Sequence, residues 1–173
     1  MMDWGALDRQ LSGRATALVG SPAGRWAAQL LAHSGDSQWW LAAGALFWWQ
    51  GQGDWREVGM RVVVVTLAGG LASGLFKHLI RRPRPDVGAH GRASLLYFSF
   101  DRHSFPSGHA TRVGGLVVVL GALAPAGGAL ALALWGAAVG VSRVALGVHF
   151  AGDIAAGLLL GALLGVVLLV CWL

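Results

Sequence analysis

The chain has 173 residues, of which 55% are hydrophobic and only 12% are charged, against about 25% charged in an ordinary soluble domain. That composition is typical of a membrane protein and excludes a small soluble enzyme. The net charge of +5 comes from 13 basic residues, all but one of them arginine; it suits an anionic ligand or lipid headgroups, whereas no basic soluble domain is present that could bind a nucleic acid.

The first 36 residues predict amphipathic helices that lie at a membrane interface. Arg9, Arg14 and Arg25 are spaced among apolar positions, which is typical of an interfacial helix rather than a spanning one. No basic stretch followed by an apolar run and a small-residue cleavage site occurs here, so we expect no cleavable signal peptide. Insertion into the membrane must then depend on internal spans.

Apolar runs of about 20 residues predict five membrane-spanning helices. They are expected at residues 37–55, from Val58 to Ile80, from Ser107, after the turn at residues 124–128, and from near His149 onward. Tryptophans at both ends of the first run resemble interfacial aromatic belts, although its strictly apolar part is short. Prolines in the segment 81–85 end the second run, because proline cannot continue a helix. The expected fold is therefore an all-α, polytopic transmembrane bundle.

We find no internal repeat, so residues 1–173 are predicted to form a single membrane-integral domain. Within it, residues 1–36 form the interfacial N-terminal region and residues 37–173 form the helical core. Glycines that recur every four positions in the last run predict close contacts between helices.

Successive spans run in opposite directions, which brings several polar residues to one side of the membrane, here called side B. If the second span ends on side B, the third starts there, the fourth returns there and the fifth starts there again. The residues at these ends are Lys77, Arg84, Ser107, Gly108, His109, Arg143, His149 and Asp153. Charged groups are costly to bury in a membrane, so their convergence indicates a functional site.

The side B residues suit a phosphate group. Lys77, Arg84 and Arg143 offer three cations, and arginine presents paired donors that match phosphate oxygens. Ser107 and Gly108 open a helix whose first N–H groups are unpaired, and such a helix start binds anions readily. Together these residues predict a cradle for phosphate oxygens.

Two histidines add the chemistry of phosphoryl transfer. His149 and Asp153 are four residues apart, so on a helix they share a face and the carboxylate can orient the imidazole as a nucleophile. His109 arrives from another helix and can protonate a leaving oxygen. A metal site made by these three residues is the alternative, but the neighbouring cations disfavour it, and we expect no metal and no cofactor. A purely structural pair of Arg143 with Asp153 is also open.

Other polar residues receive simpler interpretations. Arg81 and Arg82 are predicted to contact lipid headgroups at the interface, with contact to the substrate as the alternative. His33 has no partner that the sequence identifies, so we expect it at the surface or the interface.

The sequence resembles the type 2 phosphatidic acid phosphatase superfamily in three motifs. Its signature is a lysine, six residues and Arg-Pro; then Pro-Ser-Gly-His; then Ser-Arg, five residues, His, three residues and Asp. Lys77 to Pro85, Pro106 to His109, and Ser142 to Asp153 meet all three. Many members of that family have six spans, whereas five are predicted here together with an interfacial N-terminal region.

The resemblance implies a metal-independent phosphatase that forms a phosphohistidine. It implies His149 as nucleophile, Asp153 as its activating carboxylate and His109 as the acid. By the same resemblance, phosphate would be bound by Lys77, Arg84, Ser107, Gly108 and Arg143.

The substrate implied by the resemblance is a phosphorylated lipid in the membrane. Undecaprenyl diphosphate, phosphatidate, phosphatidylglycerol phosphate and lipid A remain open, with a slight preference for an isoprenoid diphosphate. The alternative function is a lipid-phosphate binding or transport protein without turnover. Bacterial members usually place this site on the extracytoplasmic side of the inner membrane, whereas the arginines on side B would favour the cytoplasm by the positive-inside rule.

Overall fold

The computed structural model describes residues 4–85 and 103–172, which form seven α-helices. The helices are α1 (Trp4–Ala17), α2 (Pro22–Ser34), α3 (Ser37–Gln50), α4 (Asp54–Ile80), α5 (Gly108–Leu123), α6 (Ala126–Ala145) and α7 (Ala151–Cys171). No strand occurs within these two described ranges. The prediction of an all-α fold is confirmed.

Three of the described helices, α4, α6 and α7, are long and apolar enough to cross a membrane. Helix α5 is apolar but shorter, with 16 residues. The first predicted span, residues 37–55, is interrupted, because α3 ends at Gln50 and α4 already begins at Asp54. With 14 residues, α3 is about 21 Å long, less than the thickness of a bilayer's hydrocarbon core.

The ends of the helices follow local sequence signals. Helix α4 ends where Arg81 takes a left-handed conformation with a φ of 52°, just before the prolines that were predicted to stop it. Helix α5 begins after Ser107, whose backbone is extended and whose hydroxyl accepts a hydrogen bond from the N–H of Ala110. Both ends therefore lie where the sequence predicted them.

Helix α5 is the central helix, and α7 packs closely along it. Val113 and Leu116 of α5 are fully buried. A Cβ atom added at Gly157 of α7 would lie 2.7 Å from the carbonyl oxygen of Ser107, and one at Gly165 would lie 3.0 Å from that of Gly115. The predicted close contact between glycine-rich faces is confirmed for this helix pair.

The N-terminal helices α1 and α2 are docked on the core. Both contact α6, and α1 also contacts α7. The indole of Trp135 in α6 donates a hydrogen bond to the hydroxyl of Ser34 at the end of α2, at 2.9 Å. In addition, the N–H of Ala151 donates to the hydroxyl of Ser12, at 3.1 Å. These contacts place the predicted interfacial region against the helices that carry the polar motifs.

Candidate active site

The structure brings the three polar motifs together at one end of the bundle. The N–H of Ser107, at the start of α5, donates to the carbonyl oxygen of Asp153 in α7, at 3.0 Å. The guanidinium of Arg84 donates to the carbonyl oxygen of Val148, at 2.8 Å. The convergence expected from the order of the spans is therefore observed among the described residues.

His149 lies in the turn before α7, not on the helix itself, so the expectation of a shared helical face with Asp153 is wrong in detail. The fold still pairs the two residues, because the turn folds back over the first residues of α7. Nδ1 of His149 is 3.5 Å from Oδ2 of Asp153, which is an electrostatic contact, longer than a hydrogen bond, and among the described residues Nδ1 makes no hydrogen bond. On the other edge of the ring, Nε2 is 3.4 Å from Nη1 of Arg84.

The His149 side chain is almost inaccessible to solvent, with 1% of its surface exposed. Burial lowers the pKa of His149 to about 3, the Arg143 and Arg84 charges act in the same direction, and Asp153 opposes them in part. The imidazole is therefore neutral at pH 7 and keeps a lone pair on one nitrogen, as a nucleophile requires.

Asp153 is held by more partners than the sequence indicated. Its Oδ1 accepts a hydrogen bond from Nη1 of Arg82 at 2.9 Å, and its Oδ2 accepts one from the N–H of Phe150 at 2.9 Å. Arg82 also binds Oδ2 of Asp8 at 2.7 Å, and Asp8 accepts from the N–H of Gly152. The guanidinium of Arg82, which was predicted to contact lipid headgroups, is thus bound by two carboxylates of the protein.

His109 is paired with a carboxylate that sequence reasoning missed. Nε2 of His109 is 2.6 Å from Oδ1 of Asp36, and Nδ1 of His33 is 2.8 Å from Oδ2 of the same residue. Burial alone would raise the pKa of Asp36, but hydrogen bonds from His109 and His33 hold it below the ordinary value. His33, for which no partner was predicted, thus belongs to a His–Asp–His cluster. In the sequence, the only indication of this cluster was the spacing of His33 and Asp36, which are three residues apart at the end of α2.

A group of cations surrounds the start of α5. The point where a Cβ atom of Gly108 would lie is 3.8 Å from Nζ of Lys77 and 3.6 Å from Nη2 of Arg112. A side chain at position 108 would occupy the space between these cations, and the glycine leaves that space open. Arg112 was overlooked in the sequence, although it is the only full charge inside the third apolar run.

Arg143 and Ser107 complete the site. The positive charge of Arg143 acts on both His109 and His149 and disfavours their protonation. Ser107 is fully buried, and because its hydroxyl oxygen accepts from Ala110, its own O–H is left to donate. Within residues 4–85 and 103–172, no three His, Cys, Asp or Glu residues are placed to hold a metal ion. The donors gathered here suit an anion.

Comparison with known proteins assigns the family. The sequence model of the PAP2 superfamily matches residues 58–173, more than half of the chain. The chain belongs to the PAP2 superfamily. The lipid A 1-phosphatase of Rhizobium johnstonii is 30% identical to it over 155 residues, which cover 78% of this chain and 62% of that protein. The decaprenylphosphoryl-5-phosphoribose phosphatase of Mycolicibacterium smegmatis is 33% identical over 145 residues, which cover 82% of this chain and 75% of that protein.

A solved PAP2 structure has the same fold. The crystal structure of the transmembrane PAP2-type phosphatidylglycerolphosphate phosphatase from Bacillus subtilis matches with a TM-score of 0.76 and 25% identity, covering 96% of this chain and 85% of that one. Together with the three apolar helices long enough to cross a membrane, this likeness identifies the chain as an integral membrane protein.

All three polar motifs lie inside the segment that matches PAP2, whereas some of their partners do not. Asp8, His33 and Asp36 precede residue 58, where the match begins. The carboxylates that bind Arg82 and His109 are therefore supplied by the N-terminal region.

Proposed function

We propose that this chain is a membrane phosphatase that hydrolyses a phosphate ester or diphosphate of a lipid through a phosphohistidine on His149. The observation that carries the proposal is the setting of the His149 ring. Nδ1 faces the buried carboxylate of Asp153 at 3.5 Å, and Nε2 faces the Arg84 guanidinium at 3.4 Å. We assign the proton to Nδ1, which faces the Asp153 carboxylate, so that the lone pair lies on Nε2 beside a group that binds phosphate oxygens.

In the first step, Nε2 of His149 attacks phosphorus, so a P–N bond forms while the bond from phosphorus to the lipid oxygen breaks. The leaving oxygen takes a proton from the imidazolium of His109, and a lipid alcohol, or a lipid monophosphate from a diphosphate, departs. Asp153 stabilises the positive charge that develops on His149.

In the second step, water attacks the phosphohistidine. Neutral His109 accepts a proton from that water, a P–O bond forms, the P–N bond breaks, and inorganic phosphate leaves with His149 restored. Lys77, Arg84 and Arg143 neutralise the phosphoryl oxygens in both steps, and the Ser107 hydroxyl and the N–H groups beside Gly108 donate to them. These residues are side chains and backbone of this chain, so the scheme requires no metal.

A phosphorylated lipid is the substrate class that we propose. The site lies at one end of an apolar helical bundle, where a headgroup can be bound while its tail stays among the helices. The relatives are named for lipid A, for a decaprenyl-linked phosphoribose and for phosphatidylglycerol phosphate. Among these and undecaprenyl diphosphate, we retain the slight preference for an isoprenoid diphosphate.

The deciding experiment measures phosphate release by the detergent-purified chain in excess chelator. The panel contains undecaprenyl diphosphate, phosphatidate, phosphatidylglycerol phosphate and lipid A. We expect release from at least one lipid, loss of release in His149→Ala, and unchanged release in the control His78→Ala, which alters an exposed histidine of α4. Lipid binding without release by folded protein would favour the binding or transport alternative.

We further propose that the site faces the extracytoplasmic side of a bacterial inner membrane. In a Cys171→Ala background, Arg81→Cys reports the end of α4 beside the site, and Gln52→Cys reports the loop at its opposite end. An impermeant thiol reagent should label Arg81→Cys in intact cells and Gln52→Cys only after lysis. The reverse pattern would place the site in the cytoplasm.

A further inference from the structure

We propose that Asp36 is a positioning residue that orients His109 and favours its protonated, acid form against the burial and the cations that oppose it, and that His33 weakens this effect by sharing the carboxylate. The proposal rests on the proposed phosphatase function, in which His109 is the acid. It assigns a role in the reaction to the N-terminal region, ahead of the segment that matches PAP2.

The geometry of the cluster is specific. Each oxygen of Asp36 binds one imidazole, at 2.6 Å to His109 and 2.8 Å to His33. Only 9% of the Asp36 surface is exposed, so water does little to screen either contact. With Nε2 of His109 bound to Asp36, Nδ1 is the nitrogen left for a leaving oxygen.

The backbone around Asp36 is fixed by packing. Neighbouring Gly35 is buried, and a Cβ atom there would lie 2.9 Å from a methyl carbon of Val139 and 3.1 Å from one of Val113. The turn between α2 and α3 therefore packs against α5 and α6, and this packing fixes the position of the Asp36 backbone.

The charges around His109 explain why a carboxylate is needed. Arg112 on the same helix and Arg143 from α6 both act on the ring, and Lys77 from α4 lies beside the adjacent Gly108. Burial of the ring is the strongest effect against an imidazolium, and the nearby cations add to it. Among the described residues, Asp36 is the carboxylate that hydrogen-bonds to His109 and can offset them.

His109 and His149 therefore differ in their distance to the neighbouring carboxylate and in the other partners of that carboxylate. Asp153 is 3.5 Å from His149 and shares its charge with Arg82, which suits a neutral nucleophile. Asp36 is 2.6 Å from His109, with the imidazole of His33 as its other ion-pair partner in the described chain. The shorter contact favours a protonated ring, as an acid requires.

The first test replaces Asp36 with asparagine, which keeps the shape and removes the charge. For a lipid phosphate with an alkyl leaving group, we expect kcat to fall about 10- to 100-fold. For a lipid ester with a nitrophenol-like leaving group, which needs little protonation, we expect a loss below about 3-fold. The alkaline limb of the kcat/KM profile should move about 1–3 pH units lower.

His33→Leu is the second variant and leaves Asp36 in place. Because the carboxylate then serves His109 alone, the alkaline limb should move to higher pH, the direction opposite to Asp36→Asn. A purely structural role predicts equal loss for both leaving groups and no movement of the limb. Equal loss for both leaving groups in Asp36→Asn, with no shift of the alkaline limb of the kcat/KM profile, would overturn the proposal. If Asp36→Asn does not fold, an alkaline limb in His33→Leu at the same pH as in the unaltered chain would overturn it instead.

A readout without turnover separates this proposal from the proposed function. In protein labelled with ¹⁵N-histidine, the pH of half-protonation of His109 can be followed by NMR, with His109→Asn identifying its signal. Lack of phosphate release by the unaltered chain would refute the phosphatase function alone. A half-protonation pH that is the same in the unaltered chain and in Asp36→Asn would refute the role of Asp36 whether or not the chain is active.

Discussion

Replacing Arg82 with methionine should destabilise the protein and slow the proposed reaction, because Arg82 joins Asp153, the carboxylate beside the proposed nucleophile, to the N-terminal helix α1. Its guanidinium is 2.9 Å from Asp153 and 2.7 Å from Asp8, and it lies over the ring of Phe150 at 4.2 Å. Methionine keeps most of the side-chain length and removes all three interactions.

The magnitude follows from the burial of the partners. Removing one member of a fully buried ion pair costs about 3–5 kcal/mol, whereas an exposed pair is worth about 0–1 kcal/mol. The Asp153 side chain is fully buried and that of Asp8 is 14% exposed, but the Arg82 side chain is 27% exposed. We therefore expect a loss of about 2–4 kcal/mol, which corresponds to a decrease in Tm of roughly 5–15 °C for a chain of this size.

The assay is thermal unfolding in detergent, followed by tryptophan fluorescence, together with kcat and KM for a lipid that the chain hydrolyses. Arg81→Met is the matched control, because Arg81 is exposed and its side chain donates to the carbonyl oxygen of the nearby His78. We expect Arg82→Met to lower kcat at least about 10-fold, since Asp153 no longer has a fixed orientation, and the control to change little. A Tm for Arg82→Met within 2 °C or so of the control would refute the assigned energy.

Three further predictions concern helix packing, phosphate binding and pH. Gly157→Ala should lower the Tm, because its Cβ atom would lie 2.7 Å from the carbonyl oxygen of Ser107, whereas Gly13→Ala, with open space around it, should leave the Tm unchanged or raise it slightly. Arg143→Lys should lower kcat/KM for lipid hydrolysis at least about 10-fold although the charge is kept, because lysine lacks the paired donors; full activity would make Arg143 structural. Since the pKa of His149 is lowered to about 3 in the folded protein, unfolding takes up a proton below the ordinary value near 6.5, so stability should fall as pH decreases from about 6.5 toward 3, by up to about 1.4 kcal/mol per pH unit. Unfolding midpoints measured across this range should depend less on pH in His149→Gln, and equal slopes would contradict a buried neutral imidazole.

The core of the fold was predictable because its signals are local. The apolar runs of α4, α6 and α7, the prolines after Ile80 and the serine before α5 each determine structure within a few residues. The order of the spans then determines which ends meet, so Lys77, Arg84 and the three motif residues His109, His149 and Asp153 could be grouped without coordinates.

The partners of those residues were not predictable, because they depend on tertiary docking. Asp36 and His109 are 73 residues apart, and Asp8 and Arg82 are 74 apart. Nothing in the periodicity of α1 or α2 shows which face meets α6 or α7. The interruption after Gln50 was missed for a different reason: the aromatic residues around it are equally compatible with one long span and with two helices joined by a short turn.

The N-terminal region supplies a carboxylate to each half of the site. Asp8 of α1 binds Arg82, which holds Asp153 beside His149, and Asp36 after α2 binds His109 directly. Both carboxylates are carried to the site by helices that pack on α6. A change in how α1 and α2 pack on α6 would therefore disturb the proposed nucleophile and the proposed acid together, while the PAP2 motifs themselves remained intact.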